Sequence, residues 1–137
     1  MGAPCRLLML LSLIYRQEFR DVLVASTLAE RRPVSDLERL ERMLRHADIV
    51  VTARDGERLV GISRAITDFS YCCYLSDLAV DVAYQHQGIG KCLIDKTRTK
   101  AGECTTLILV AAPVAETYYP KIGMQHRASC WAIPRTS

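Results

Sequence analysis

Apolar residues recur along this chain with helical and strand periods, and the changes of period mark its elements. The run Leu7-Leu8-Met9-Leu10-Leu11-Ser12-Leu13-Ile14 is continuous and short, the pattern of a buried first strand. From Gln17 to Ala29 the spacing turns helical, with Phe19, Val22, Leu23 and Ser26 on one face, until Arg31-Arg32-Pro33-Val34 breaks it. Ser35 begins a second helix: Glu38 follows as the partner in a capping box, and Leu37, Leu40, Met43 and Leu44 form one stripe that runs to His46. Ile49-Val50-Val51-Thr52-Ala53 and Leu59-Val60-Gly61-Ile62-Ser63 read as antiparallel strands joined through an Asp55-Gly56 turn. A long strand from about Tyr71 to Val82 leads into a glycine-containing loop and a helix that Gly102 ends after about Ala101. Thr105 to Ala111 is β-rich, and the helix crossing before it makes it parallel to the strand that precedes the loop. A helix over Ala115 to Ile122, shortened or bent by Pro120 and closed by Gly123, precedes a final strand from His126 to Ile133. The order β-α-α-β-β-β-α-β-α-β describes an α/β protein with a mixed, mostly antiparallel sheet and helices on both faces.

Length and composition narrow this. The 137 residues, 50% of them apolar, suit one domain over 1–137 with a continuous core, and no repeat, low-complexity segment or linker divides it. Arg6 and the apolar run after it lack the small-x-small site of a signal peptide and are too short to span a bilayer, so the reading is a strand and no membrane. A formal charge of +3, with basic and acidic residues interspersed, favours an anionic cofactor and excludes a nucleic-acid tail. The cysteines, Cys5, Cys72, Cys73, Cys92, Cys104 and Cys130, show neither C-x-x-C pairs nor histidines at zinc spacing. They read as reduced thiols in a cytoplasmic protein without a metal. His46, His86 and His126 fall in separate elements and read as surface or core-edge residues.

The chemistry concentrates after Leu78-Ala79-Val80. The segment Gln85-His86-Gln87-Gly88-Ile89-Gly90-Lys91-Cys92-Leu93 joins an extended run to a helix through glycines, leaving main-chain N–H groups unpaired at the helix start. Those groups and the helix dipole make an anion site, strengthened by Lys91, Lys96, Arg98 and Lys100. A Walker A loop would need glycine where Gln85 stands and Ser or Thr where Cys92 stands. A dinucleotide fingerprint would need a small residue in place of Leu93 and a later acidic residue that is absent from its expected place.

What remains, Gln85-x-x-Gly88-x-Gly90 after an apolar strand, resembles the signature of the GNAT superfamily of acyl-CoA-dependent N-acetyltransferases. A second segment, Ala115-Glu116-Thr117-Tyr118-Tyr119-Pro120-Lys121-Ile122-Gly123-Met124, resembles that family's later helix and its exit, in the same order and spacing. The likeness is close from about Tyr74 to Met124, and the first half agrees in layout.

The resemblance implies the GNAT (acyl-CoA N-acyltransferase) fold, acetyl-CoA as cosubstrate and transfer of the acetyl group to a primary amine of a small-molecule or protein acceptor. It implies a gap between the strand before the loop and the next parallel strand, in which the pantetheine arm lies against the main chain of Val80 and Val82. The Val80 N–H is then available to the thioester carbonyl, and Gln85, Gln87, Gly88, Ile89, Gly90, Lys91 and Cys92 wrap the pyrophosphate. Tyr119 matches the general acid: a phenol with an ordinary pKa near ~10 can protonate the departing thiolate without ionising at neutral pH. Tyr118 reads as a packing residue.

No general base is evident. Positions where some members carry Glu or His hold Tyr74 and Ser76, while strand alternation puts Asp77 and Asp81 on the other face. A water chain or Glu30 remains, and Arg31 and Arg32 read either as contacts for an acidic acceptor or as a solvated pair. The segment Val110-Ala111-Ala112-Pro113 lacks the asparagine with which many members contact the arm. A covalent route through Cys72 or Cys73 ranks low for want of a histidine base nearby in sequence. Two competing functions stay open: a non-catalytic acyl-CoA-binding module, and a dimerisation domain in which the final strand pairs across a two-fold axis to give a homodimer.

Overall fold

The computed structural model describes residues 8–10 and 14–136. Its strands are β1 (Leu8–Leu10), β2 (Ile49–Asp55), β3 (Arg58–Thr67), β4 (Cys72–Val80) and β5 (Thr106–Ile108). Its α-helices are α1 (Arg16–Ala25), α2 (Leu37–Arg45), α3 (Ile89–Ala101) and the single turn α4 (Tyr118–Lys121). The strands form one sheet in the order β1-β2-β3-β4-β5, antiparallel throughout except for the parallel β4–β5 pair. Of the rest of the apolar run expected as the first strand, Leu7 and residues 11–13 lie outside the described residues, and Ile14 follows the strand and packs on the core of α1 and α2.

Alternation along the strands builds a core on each face. Phe19, Val22 and Leu23 of α1 and Leu40 of α2 pack with Leu59, Ile62 and Ala79 on one side. Ile89, Leu93, Ile94 and Ala101 of α3 pack with Ile49, Val51, Ala53, Ala65, Cys73 and Leu75 on the other. A Cβ at Gly61 would come within 3.2 Å of Leu93 and 3.3 Å of Ile89, so the missing side chain lets α3 lie close on β3. Thr97 fixes the same contact through the Leu93 carbonyl at 2.7 Å and the Ser63 hydroxyl at 2.5 Å.

Several expectations shift. The second helix is capped by the Asp36 carboxylate, which accepts from the Arg39 N–H at 3.0 Å, one residue later than Ser35. Both residue types cap well, and the sequence pattern does not choose between them. The first helix ends at Ala25, and a 3-10 turn over Leu28–Arg31 follows the left-handed Thr27. β4 stops at Val80 because Asp81 turns the chain, accepting the Ala83 N–H at 2.9 Å, so Val82 lies in a 3-10 turn rather than on the strand.

The largest departure is at the end of the chain. The order β-α-α-β-β-β-α-β-α-β is not completed: residues 125–136 form neither helix nor strand, and Trp131 and Ile133 are 93% and 99% exposed. A strand exists by its ladder, and β5 offers only Thr106–Ile108 before the chain leaves the sheet. The strand edge on which a homodimer was to pair is therefore not formed.

Candidate functional site

β4 and β5 stay paired only from Cys72–Thr106 to Tyr74–Ile108, and beyond that rung β4 runs on to Val80 without β5 beside it. The ladder thus stops on the side of β4 where a gap was expected. The loop at its far end is set by local chemistry. Arg58 holds Asp81 at 2.7 Å, Tyr84 donates to Asp55 at 2.6 Å, and Gln85 Nε2 donates to the Val80 carbonyl at 2.9 Å. His86 and Gly88 take left-handed conformations, with φ of 64° and 83°. Gly88 is the N-cap of α3 and brings no side-chain cap.

Among the described residues, no turn, loop or cap hydrogen bond engages the main-chain N–H groups of residues 87–90, and the first-turn N–H groups of a helix have no partner within it. A Cβ on Gly88 would meet nothing within 4 Å, so the space at the N-cap is open. Helix N-terminal N–H groups facing open space suit an anion such as a pyrophosphate. Gln85, Gln87 and Lys91 are exposed around this opening, Ile89 is buried beneath it, and Gly90 and Cys92 are half-buried. The Lys91 ammonium is held by Asp95 at 2.9 Å.

The tyrosine pair closes the site from the other side. The Tyr118 hydroxyl would stand 2.7 Å from a Cβ on Gly90, beside the start of α3. Burial pushes its pKa up, and the Lys91 N–H works against that. Tyr119 meets Tyr118 edge-on, with centroids 5.2 Å apart, and packs against the α3-side core to which Leu78, Val80, Leu107 and Leu109 also contribute. Burial is the main cause that raises the Tyr119 pKa above its ordinary value. Tyr118, expected only to pack, therefore also sets its hydroxyl against Gly90 at the start of α3.

The acceptor-side expectations change most. Arg64 pairs with Asp77 and Ala65 with Leu75, so Ser76 is an extra residue, a bulge. The bulge resets the alternation, and Asp77 falls on the same face as Tyr74, not on the opposite one. It is no base: Asp77 is 0% exposed and bridges Arg32, at 2.5 Å, and Arg64. Arg32 also donates to the Ser76 carbonyl at 2.7 Å, and Arg64 to the Ser76 hydroxyl at 3.0 Å. Arg32 is therefore not half of a solvated pair, whereas Arg31 and Glu30 are exposed. Asp81, the other carboxylate considered, is tied to Arg58. Sequence reading missed this cluster because its members are 44 and 45 positions apart and the bulge leaves no mark in the apolar pattern.

Among the described residues no His, Cys, Asp and Glu side chains gather as metal ligands, and no helix is long and apolar enough to cross a membrane. Cys72, Cys73, Cys104 and Cys130 are free thiols, whereas Cys92 is disulfide-bonded, against the expectation of reduced cysteines throughout.

Residues 19–128 match the acetyltransferase (GNAT) domain family. Histone acetyltransferase TAP1 of Glycine max is 34% identical over 77 residues, which cover 48% of this chain and 32% of that protein. An uncharacterized N-acetyltransferase, ycf52, of Porphyra purpurea is 26% identical over 93 residues, 64% of this chain and 53% of that one. The chain thus spans about half or less of the length of these curated relatives. A crystal structure of a probable acetyltransferase from Meticillin-Resistant Staphylococcus aureus superposes with a TM-score of 0.80 at 20% identity, covering 96% of this chain and 99% of that one. An aminoglycoside acetyltransferase from an uncultured soil metagenomic sample, solved with sisomicin, gives 0.69 at 22% identity over 96% of each chain. At these identities the structural likeness is one of fold.

Proposed function

The chain belongs to the acetyltransferase (GNAT) domain family, and from that premise we propose that it moves an acetyl group from acetyl-CoA to a primary amine by direct attack of the amine on the thioester. The observation that carries this is the sequence of two features along β4: the strand runs past the end of β5 with no partner on that side, and one 3-10 turn later the glycine loop opens α3 without a side-chain cap. A slot ending in an anion site suits a ligand with a thin arm and a pyrophosphate head.

In this reading residues 87–90 take the pyrophosphate through main-chain N–H groups, with Gln85, Lys91 and Cys92 at the rim. Val80 supplies main-chain groups to the arm and its N–H polarises the thioester carbonyl, while Val82, in the turn, lies nearer the head. The neutral amine attacks the carbonyl carbon, the carbon–sulfur bond breaks, and the Tyr119 hydroxyl gives its proton to the departing thiolate. Burial keeps that phenol protonated at neutral pH, as the role requires. The proton released by the amine leaves through water, since Asp77 is locked between arginines. The relatives named above include a histone and an aminoglycoside acetyltransferase, and the acceptor here is taken no further than a primary amine.

A second reading, a non-catalytic acyl-CoA-binding module, is favoured by one observation. The face of β4 that carries Tyr74 presents Ser76 and Asp77, both tied up by arginines, and no free carboxylate or imidazole. The experiment that tests the cofactor class is thermal unfolding with acetyl-CoA, free CoA and ATP. A rise of Tm with both CoA ligands and little with ATP is expected; no rise with acetyl-CoA would sink both readings. An amine screen with acetyl-CoA then separates enzyme from binding module.

A further inference from the structure

The bulge at Ser76 falls two residues past Tyr74, the last residue of β4 that pairs with β5. A bulged residue stands outside the ladder and bends its strand, so its polar groups need partners and its position sets the direction of the strand beyond it. In β4 the strand beyond the bulge stays paired with β3 and has no β5 partner on its other side, where the arm is proposed to lie. The partners come from far away in sequence. The guanidinium of Arg32, in the segment joining α1 to α2, spans the Ser76 carbonyl at 2.7 Å and the Asp77 carboxylate at 2.5 Å. Arg64 of β3 holds the Ser76 hydroxyl and the other Asp77 oxygen from the opposite side. Arg32 also donates to the Arg31 carbonyl at 2.8 Å, which stiffens its own loop.

Two cations on one buried carboxylate are a poor way to gain stability, because desolvation offsets most of the attraction, but they fix a geometry well. The planar fork of Arg32 can satisfy the carbonyl and the carboxylate together only at one setting of the bulge. We propose that Arg32 is a positioning residue: acting through Asp77 and the Ser76 carbonyl, it holds the bend of β4 so that the slot between β4 and β5 keeps the width of an acyl-pantetheine arm. This rests on the acyl-CoA reading above.

The test compares two ligands by calorimetric titration of the full chain: acetyl-CoA, and 3′-phosphoadenosine 5′-diphosphate, which has the pyrophosphate and no arm. Arg32→Met is expected to weaken acetyl-CoA about tenfold, as loss of a charge-assisted contact would, and to leave the armless nucleotide at wild-type affinity. A role in stability alone would not produce that split. Should Arg32→Met fail to fold, Arg32→Lys keeps the positive charge beside Asp77 without the fork, and the same split is expected at about threefold. Equal weakening of both ligands, or no change in either, overturns the proposal while leaving the acyl-CoA reading intact. A wild-type chain that binds the nucleotide and acetyl-CoA equally well, or neither, overturns that reading and this inference with it.

Discussion

The hydroxyl of Tyr118 stands 2.7 Å from where a Cβ of Gly90 would be, near enough to the main-chain N–H of Lys91, one of the donors at the head of α3, for that group to hold down the phenol's pKa. A pyrophosphate that uses this donor has to displace the phenol. Tyr118→Phe removes the competitor, so acetyl-CoA is expected to bind about threefold more tightly. Gly90→Ala also pushes the hydroxyl off Lys91, but its methyl group enters the space at the loop, and binding is expected to weaken about tenfold. Titration calorimetry of both variants checks the pair; weaker binding by Tyr118→Phe would mean that the hydroxyl assists the phosphate rather than competing with it.

Tyr119→Phe removes the proton donor and keeps the ring against the α3-side core. Turnover is expected to fall about a hundredfold while the affinity for acetyl-CoA stays at the wild-type value. Burial holds the Tyr119 pKa above its ordinary value, so the loss should be the same across a pH range of about 6 to 9. A steady-state pH profile with any amine that the screen yields checks this. Unchanged turnover in Tyr119→Phe would remove the residue from the mechanism.

The parts of the fold that were legible in the sequence are those fixed by neighbours in the chain. Phe19, Val22 and Leu23 announce the buried face of α1, Asp55-Gly56 the hairpin, Gly102 the end of α3, and Gly88 the open N-cap. The rest depends on distant partners. Ser76 is indistinguishable by pattern from any polar residue of an alternating strand, yet its insertion moves Asp77 to the face of Tyr74. Arg32 gave no sign that it would find Asp77 rather than water. The segment from His126 to Ile133 has strand-forming residues and no ladder to join, which propensity alone does not reveal.

Among the described residues Asp77 is the one counter-charge for Arg32 and Arg64 at the bulge, and it is wholly buried. Asp77→Ala leaves both guanidinium groups facing each other across a cavity. The expected destabilisation is about 3–5 kcal/mol, read from urea unfolding. Arg32→Met should cost less, because Asp77 keeps Arg64 and the Arg32 side chain is 19% exposed. The reverse order of the two variants would show that the carboxylate is not the centre of the cluster.

Asp68 gives the fold an acid-sensitive point whose direction can be worked out. Its carboxylate accepts the main-chain N–H groups of Ser70, Tyr71 and Cys72 at 2.9, 2.8 and 3.1 Å, closing the turn between β3 and β4. These donors bring its pKa down from 3.8 to about 2, the Tyr71 N–H contributing most. A carboxylate with a depressed pKa in the folded state contributes stability that is complete above its unfolded pKa and is lost as the pH falls through the folded one. Asp68→Asn keeps the size of the side chain and one acceptor oxygen but cannot carry the charge. The wild type should therefore be the more stable of the two from neutral pH down to about 4, and the difference should shrink between about pH 4 and pH 2. Urea unfolding of both proteins at several pH values in that window measures it. A difference as large at pH 3 as at neutrality would mean that the turn is held by shape rather than by the charge of Asp68.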